Sequence, residues 1–176
     1  FLEFEEDVVA LGARRQAALH LAWYQRGLSL ESEVQTGRFR YANLDGKVTV
    51  PVSGYHVAVG YFITGEEVTN RSVVVPLRPF NPASQQWGTG AIEPFFRFSQ
   101  LTLGEEVFSR ELAEEADWTR RISLGDLAWN WYPNRFLNLS FDWQASLYGS
   151  PVLVDEADDR RIRRSHVLWM RMQVAF

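Results

Sequence analysis

Arginines and carboxylates recur at every second position along much of this sequence, interleaved with large apolar side chains, and that spacing carries its chemistry. A guanidinium offers paired N–H donors that fit the oxygens of an oxyanion, so arginines lining a wet passage would form steps for an anion. Five are candidates for that role: Arg71, Arg78, Arg97, Arg121 and Arg171. Arg97 and Arg121 are expected on neighbouring antiparallel strands with the same inward parity, as a pair. Alternatively, Glu93, four residues before Arg97, takes it in a self-neutralising ion pair. Three carboxylates, Glu93, Asp126 and Asp142, are expected on the same polar face.

Other chemistries find little support. With no cysteine there is no disulfide framework, thiolate metal site or thiol nucleophile. His20, His56 and His166 fall in separate segments without ligand spacing, so no metal is expected. No nucleophile elbow, triad or glycine-rich phosphate loop is present, so neither an enzyme nor a cofactor is expected. The sequons Asn70-Arg71-Ser72 and Asn138-Leu139-Ser140 are read as chance matches. A net charge of -4 and a pI near 5.4 argue against nucleic acid as a partner.

The elements that must position these residues alternate with period two. Gln16 to Arg26 sets Leu19, Leu21 and Trp23 opposite His20, Ala22 and Tyr24, and Gly27 offers a tight reversal. The next block sets Leu28, Leu30 and Val34 opposite Ser29, Glu31, Glu33 and Gln35. A third, Tyr55 to Thr64, sets Tyr55, Val57, Val59 and Tyr61 against His56, Ala58 and Gly60; a fourth spans about Gly90 to Leu103. The fifth changes phase between Ile122, Leu124 and Leu127, Trp129, Trp131, which predicts a bulge at Gly125. Leu137 to Gln144 and the terminal run through Leu168, Met170, Met172, Val174 and Phe176 complete about seven strands. Reversals at Gly27 and Pro133-Asn134 are short, whereas Ala42 to Gly54, Gly104 to Asp117 and Gly149 to Arg164 read as long connections, the last two acidic and solvated. The stretch from Gly65 to Thr89 is expected to fold partly into a lumen, with Arg71 and Arg78 facing solute.

Alternation alone does not say which side is apolar. Short reversals at one end and long charged loops at the other, aromatics near strand ends and many ionisable side chains on the polar face all fit an outer-membrane barrel around a water-filled lumen. The expected fold is therefore all-β, an antiparallel transmembrane β-barrel. The apolar alternation at Leu168, Met170, Met172, Val174 and Phe176 resembles the C-terminal signal read by the outer-membrane assembly machinery. Two other readings stay open: a complete small eight-stranded barrel with a structural role, its eighth strand drawn from Phe4 and Val8, and a soluble β-sandwich binding carbohydrate through its tryptophans. Lacking an initiator methionine and a signal core before Phe1, the chain is read as a mature chain or a piece of one.

Particular residues also carry a resemblance. Tyr61-Phe62-Ile63-Thr64-Gly65-Glu66, Gly90-Ala91-Ile92-Glu93 followed by Arg97-Phe98-Ser99, Asn130-Trp131-Tyr132-Pro133-Asn134, and Arg171-Met172-Gln173-Val174-Ala175-Phe176 resemble, in order and spacing, the phosphate-selective porin O and P family. The resemblance implies that residues 1–176 are the C-terminal seven or so strands of one sixteen-stranded porin of the bacterial outer membrane, with N-terminal strands and signal peptide outside this chain. It also implies a homotrimer, set in outer-membrane lipid, passing small hydrophilic solutes, chiefly anions such as phosphate, by passive diffusion. Family members use arginine and lysine along the pore; here Lys47 is the only lysine. The family usually carries tryptophan where Ile92 stands, and Pro94 falls inside a strand, which requires a bulge or an unpaired position.

Overall fold

Alternating β-branched, aromatic and polar residues favour extended chain with two unlike faces, and seven long segments adopt it. The computed structural model describes residues 1–70 and 73–175, with the side chains of all but Ala13 and Gln86. The strands are β1 (Val9–Gln25), β2 (Leu28–Asn43), β3 (Gly46–Tyr61), β4 (Phe80–Asn81), β5 (Gln86–Trp87), β6 (Ala91–Leu103), β7 (Arg121–Asn134), β8 (Leu137–Asp155) and β9 (Arg160–Val174), with one helical turn, α1 (Glu106–Ser109). Seven form a single antiparallel sheet in the order β1-β2-β3-β6-β7-β8-β9, while β4 and β5 make a separate small hairpin. The all-β antiparallel expectation is met, with a sheet that is open rather than closed. Val9 begins β1, and the residues before it, Phe4 and Val8 included, form no eighth strand.

Register fixes the faces. One unbroken row of cross-strand partners runs Trp23, Leu30, Val59, Phe96, Leu127, Trp143, Leu168. All but Leu30 are well exposed, Leu168 at 80%. An apolar belt this continuous is far beyond what a soluble surface normally leaves in water, and it is the outer, lipid-facing side. One residue along each strand, the opposite row runs Ala22, Glu31, Ala58, Arg97, Asp126, Gln144, Val167, and this is the inner face.

Gly125 pairs in register with Phe98 and Ala145, so the bulge expected there is absent. The phase change has another cause: Leu127, Trp129 and Trp131 face lipid, whereas Ile122 and Leu124, at the start of β7 toward the long-loop end, face inward beyond the apolar belt. The same reversal occurs in β3, where Tyr55 to Tyr61 alternate outward but Val48, Val50 and Val52 point inward. Ala42 to Gly54 is accordingly no loop; it belongs to β2 and β3, which turn at Leu44 and Asp45. Gly149 to Arg164 is likewise mostly strand, with only residues 156–159 between β8 and β9. The β7–β8 reversal falls at Arg135 and Phe136, just past the expected Pro133-Asn134, after a register shift between Trp131 and Asn134 that accommodates Pro133.

At the long-loop end these inward apolar residues build a small core. Val50, Leu103, Val107, Leu112 and Ala113 are buried, with Phe1, Phe4, Val8 and Trp118 packed against them. Fully burying a side chain such as Leu112 contributes about 1.5–3 kcal/mol. The segment before β1 is held by Glu5 N–H to Leu112 O at 3.0 Å and by Thr119 N–H to Phe1 O at 3.1 Å. Gly104 admits the loop: its N–H reaches Pro51 O at 2.7 Å, and a Cβ there would lie 2.5 Å from the Pro51 ring. The acidic loop after β6 is thus only partly solvated: Glu105, Glu111, Glu114 and Glu115 are exposed, but the apolar residues between them are inside.

Pro94 needs no bulge. Ile92 directs its N–H to Thr64 Oγ1 and its carbonyl to Ile63 N–H. Two residues on, Pro94 turns its nitrogen to the same side, where β3 has ended at Tyr61.

Candidate functional site

The polar half of the sheet is organised in cross-strand rows on β6, β7, β8 and β9. Arg97, Asp126 and Gln144 are successive partners, and the side chains follow: Arg97 Nε donates to Asp126 Oδ2 at 2.9 Å, and Gln144 Nε2 donates to Asp126 Oδ1 at 2.6 Å. Asp126 is 3% exposed while the Arg97 side chain is 44% exposed. A buried carboxylate held by two donors is costly to strip of either, because the charge would remain without compensation. The half of Arg97 that Asp126 does not cover faces the inner space.

A second row runs Glu93, Asn130, Ser140, Arg171. Glu93 is fully buried and accepts from Asn130 Nδ2 at 3.1 Å and from the Tyr132 hydroxyl at 3.4 Å. Along this second row lies a groove of about 440 Å³ whose polar lining includes Glu93, Asn130, Asn138, Ser140, Asp142 and Arg171, with Phe95, Ala128 and Trp169 among its apolar residues. Asn138 Oδ1, Ser140 Oγ and Asp142 Oδ1 are buried there without a partner. They are consecutive inward positions of β8, so they present a ladder of acceptors beside the exposed Arg171. Arg171 offers its donors to solute in the groove, whereas the three acceptors are covered from solvent and set a negative polarity behind it.

Several expectations need correction. Arg97 pairs with Asp126, not with Glu93, and it does not share a face with Arg121. Arg121 is opposite Thr102 on the outer face, because β7 runs without a bulge and keeps its parity. Glu93, Asp126, Asp142 and Arg171 are together on the inner face. Arg78 is exposed next to the β4–β5 hairpin, whose Phe80 ring lies 6.0 Å from the outward-facing Trp131, so it does not join the Arg97 row. Arg71 lies outside the described residues. Gln144, Asn130 and Ser140 went unrecognised as partners in the lining; their only sequence signal is shared parity, which becomes a contact once register is known.

The described parts of the connection from Phe62 to Gly90 lie at the short-turn end. Glu66, 4% exposed, accepts from the Thr64 hydroxyl and from Leu77 N–H at 3.0 Å, pinning the two limbs of the segment together. Val68 N–H bonds Arg26 O in the β1–β2 turn, and Val73 and Val74 share a cavity with the inward Asn138 and Gln173. Its described part before residue 71 thus touches the β1–β2 turn, and its part after residue 72 lies near β8 and β9. On β9, Leu168, Met170, Met172 and Val174 are exposed on the outer face; Phe176 lies outside the described residues.

At the opposite end Arg161 ties the β8–β9 turn to the loop before β7. It donates to Asp117 Oδ1 at 2.7 Å, to Asp159 Oδ1 at 3.0 Å and to Ala116 O. The hydrogen bond to Asp117, ahead of the other contacts, raises its pKa above the ordinary guanidinium value.

No helix is long and apolar enough to cross a membrane, and no group of three or more His, Cys, Asp or Glu among the described residues could hold a metal ion. No curated protein matches the chain. A family model described as phosphate-selective porin O and P matches residues 4–176.

Proposed function

We propose that this chain, which belongs to the phosphate-selective porin O and P family, lines its channel with the Arg97–Asp126–Gln144 and Glu93–Asn130–Ser140–Arg171 rows. The family is one of outer-membrane porins of Gram-negative bacteria, channels for phosphate and similar small hydrophilic anions rather than an enzyme class. A soluble carbohydrate-binding sandwich and a self-contained small barrel are not favoured by that match. The observation that carries the reading is the pair of adjacent rows, one apolar and, Leu30 apart, well exposed, the other carrying Glu31, Arg97, Asp126 and Gln144. A wall with these two sides separates hydrocarbon from water.

In this reading passage is passive diffusion, without catalysis or cofactor. Arg97 and Arg171 are the inner-face arginines that meet the solute, and Asp126, Asp142 and Glu93 temper the field around them. Arg78 belongs to the connection at the short-turn end, beside the β4–β5 hairpin. An open sheet leaves edge backbone groups unsatisfied in lipid, so β1 and β9 require further strands. We take residues 1–176 as the C-terminal part of one sixteen-stranded barrel that works as a homotrimer. The alternating outward run Leu168, Met170, Met172, Val174, together with Phe176, serves as the recognition signal for the barrel-assembly machinery.

The test is electrical. In planar bilayers with phosphate or chloride gradients, full-length protein carrying Arg97→Ala and Arg171→Ala is expected to shift its reversal potential toward cations. An unchanged potential would make both arginines structural only.

A further inference from the structure

The arginines absent from the lumen have a place of their own. From the short-turn end up to the register shifts in β1 and β8, no outer position of the seven strands is Asp or Glu. All strand carboxylates in that span, Glu31, Glu33, Glu93, Asp126 and Asp142, are inward. Going from the apolar belt toward the long-loop end, the first charged outward residue is Arg15 on β1, Arg38 on β2, Arg121 on β7 and Arg164 on β9. Each is exposed. Arg15 and Arg38 are direct cross-strand partners, and Arg40 follows at the next outward position of β2. Like charges set directly opposite each other in a sheet are destabilising unless something neutralises them. No carboxylate among the described residues is in ion-pair reach of these three.

We propose that this outer collar binds the phosphate groups of lipid headgroups in the outer leaflet, with Arg15, Arg38 and Arg40 as its densest site. The height is right. Arg15, Arg38 and Arg164 come two outward positions beyond Leu19, Val34 and Leu168. At about 3.3 Å per residue and a tilt near 40° this is roughly 10 Å along the membrane normal. A long arginine side chain reaches back from there to the level where hydrocarbon gives way to headgroups. The chemistry is right as well: arginine forks match phosphate, and these arginines face away from the lumen, so a passing solute never meets them. The belt below, apolar across all seven strands, supplies the acyl-chain contact.

The proposal rests on the outer-membrane reading, and one set of experiments separates the two. Full-length protein folded in detergent is titrated with bisphosphorylated lipid A, with its dephosphorylated form and with inorganic phosphate, and bound lipid is followed by native mass spectrometry. Arg15→Gln/Arg38→Gln/Arg40→Gln should weaken lipid A binding by about tenfold or more, with single-channel conductance that of the parent. Arg97→Gln, on the inner face, should keep the parental affinity. A smaller loss in the triple variant, equal binding of the dephosphorylated lipid, or displacement by millimolar inorganic phosphate overturns the proposal. If heat-modifiable migration shows that the triple variant has not folded, the comparison of phosphorylated and dephosphorylated lipid on the parent protein decides. A parent that binds lipid A but conducts no ions would sink the porin reading instead.

Discussion

Two heights of one wall follow opposite rules. At the apolar belt, β3 turns Tyr55, Val57, Val59 and Tyr61 outward and Ala58 inward, next to the Arg97–Asp126 row. Nearer the long-loop end the same strand turns Thr49, Pro51 and Ser53 outward, while Val48, Val50 and Val52 enter the rim core. β2, β6 and β7 do the same with Phe39 and Tyr41, Leu101 and Leu103, and Ile122 and Leu124. The backbone continues in register through the change, so geometry is not its cause. The difference teaches that the phase of alternation records which side of the sheet is wet: lipid and lumen at one height, water and a folded loop at the other.

The sharpest way to break this comparison is to attack the rim core. Leu112→Ala should cost about 2–5 kcal/mol of local stability, read as faster protease cleavage between Glu105 and Thr119 while the barrel stays folded. Unchanged cleavage would mean that the inward apolar residues there do not pack. Next, an arginine placed outward at two heights of β7 should behave differently. Leu127→Arg is expected to cost about 2–4 kcal/mol and Ser123→Arg about 0–1 kcal/mol in urea-dependent folding into vesicles; equal costs would erase the boundary between them. The smallest effect concerns the polar row. Asp126→Asn removes the charge that neutralises Arg97, and a unit charge felt across a few ångströms of water is worth up to about 1 kcal/mol. The anion-to-cation permeability ratio should rise about two- to fivefold, and a shift toward cations would refute the role given to that ion pair.

Much of the wall could be read from spacing alone, because period-two alternation marks a strand wherever its two sides differ in polarity. Glu93, Asp126, Asp142 and Arg171 fell on the inner face as their parity required. The failures cluster where the solvent changes. Ala42 to Gly54 looked like a loop because its apolar residues switch parity, and the switch in β7 imitated a bulge, which sent Arg121 to the wrong face. Arg97's true partner was not legible for a different reason. Which residue of β7 lies opposite it depends on how the loop after β6 folds, and that loop is set by packing against Phe1, Phe4 and Val50, residues distant in sequence.

The reversal of phase also has a mechanical consequence. Sinking the wall by one outward position would draw Arg15, Arg38, Arg121 and Arg164 toward hydrocarbon, while raising it by one would lift Leu19, Val34 and Leu168 out. An arginine carried to the bilayer midplane costs about 2–4 kcal/mol, so even a partial excursion summed over four strands meets a stiff restoring force. The protein has little freedom to bob along the membrane normal, and the Arg97–Asp126 row is thereby held at a constant depth in the bilayer.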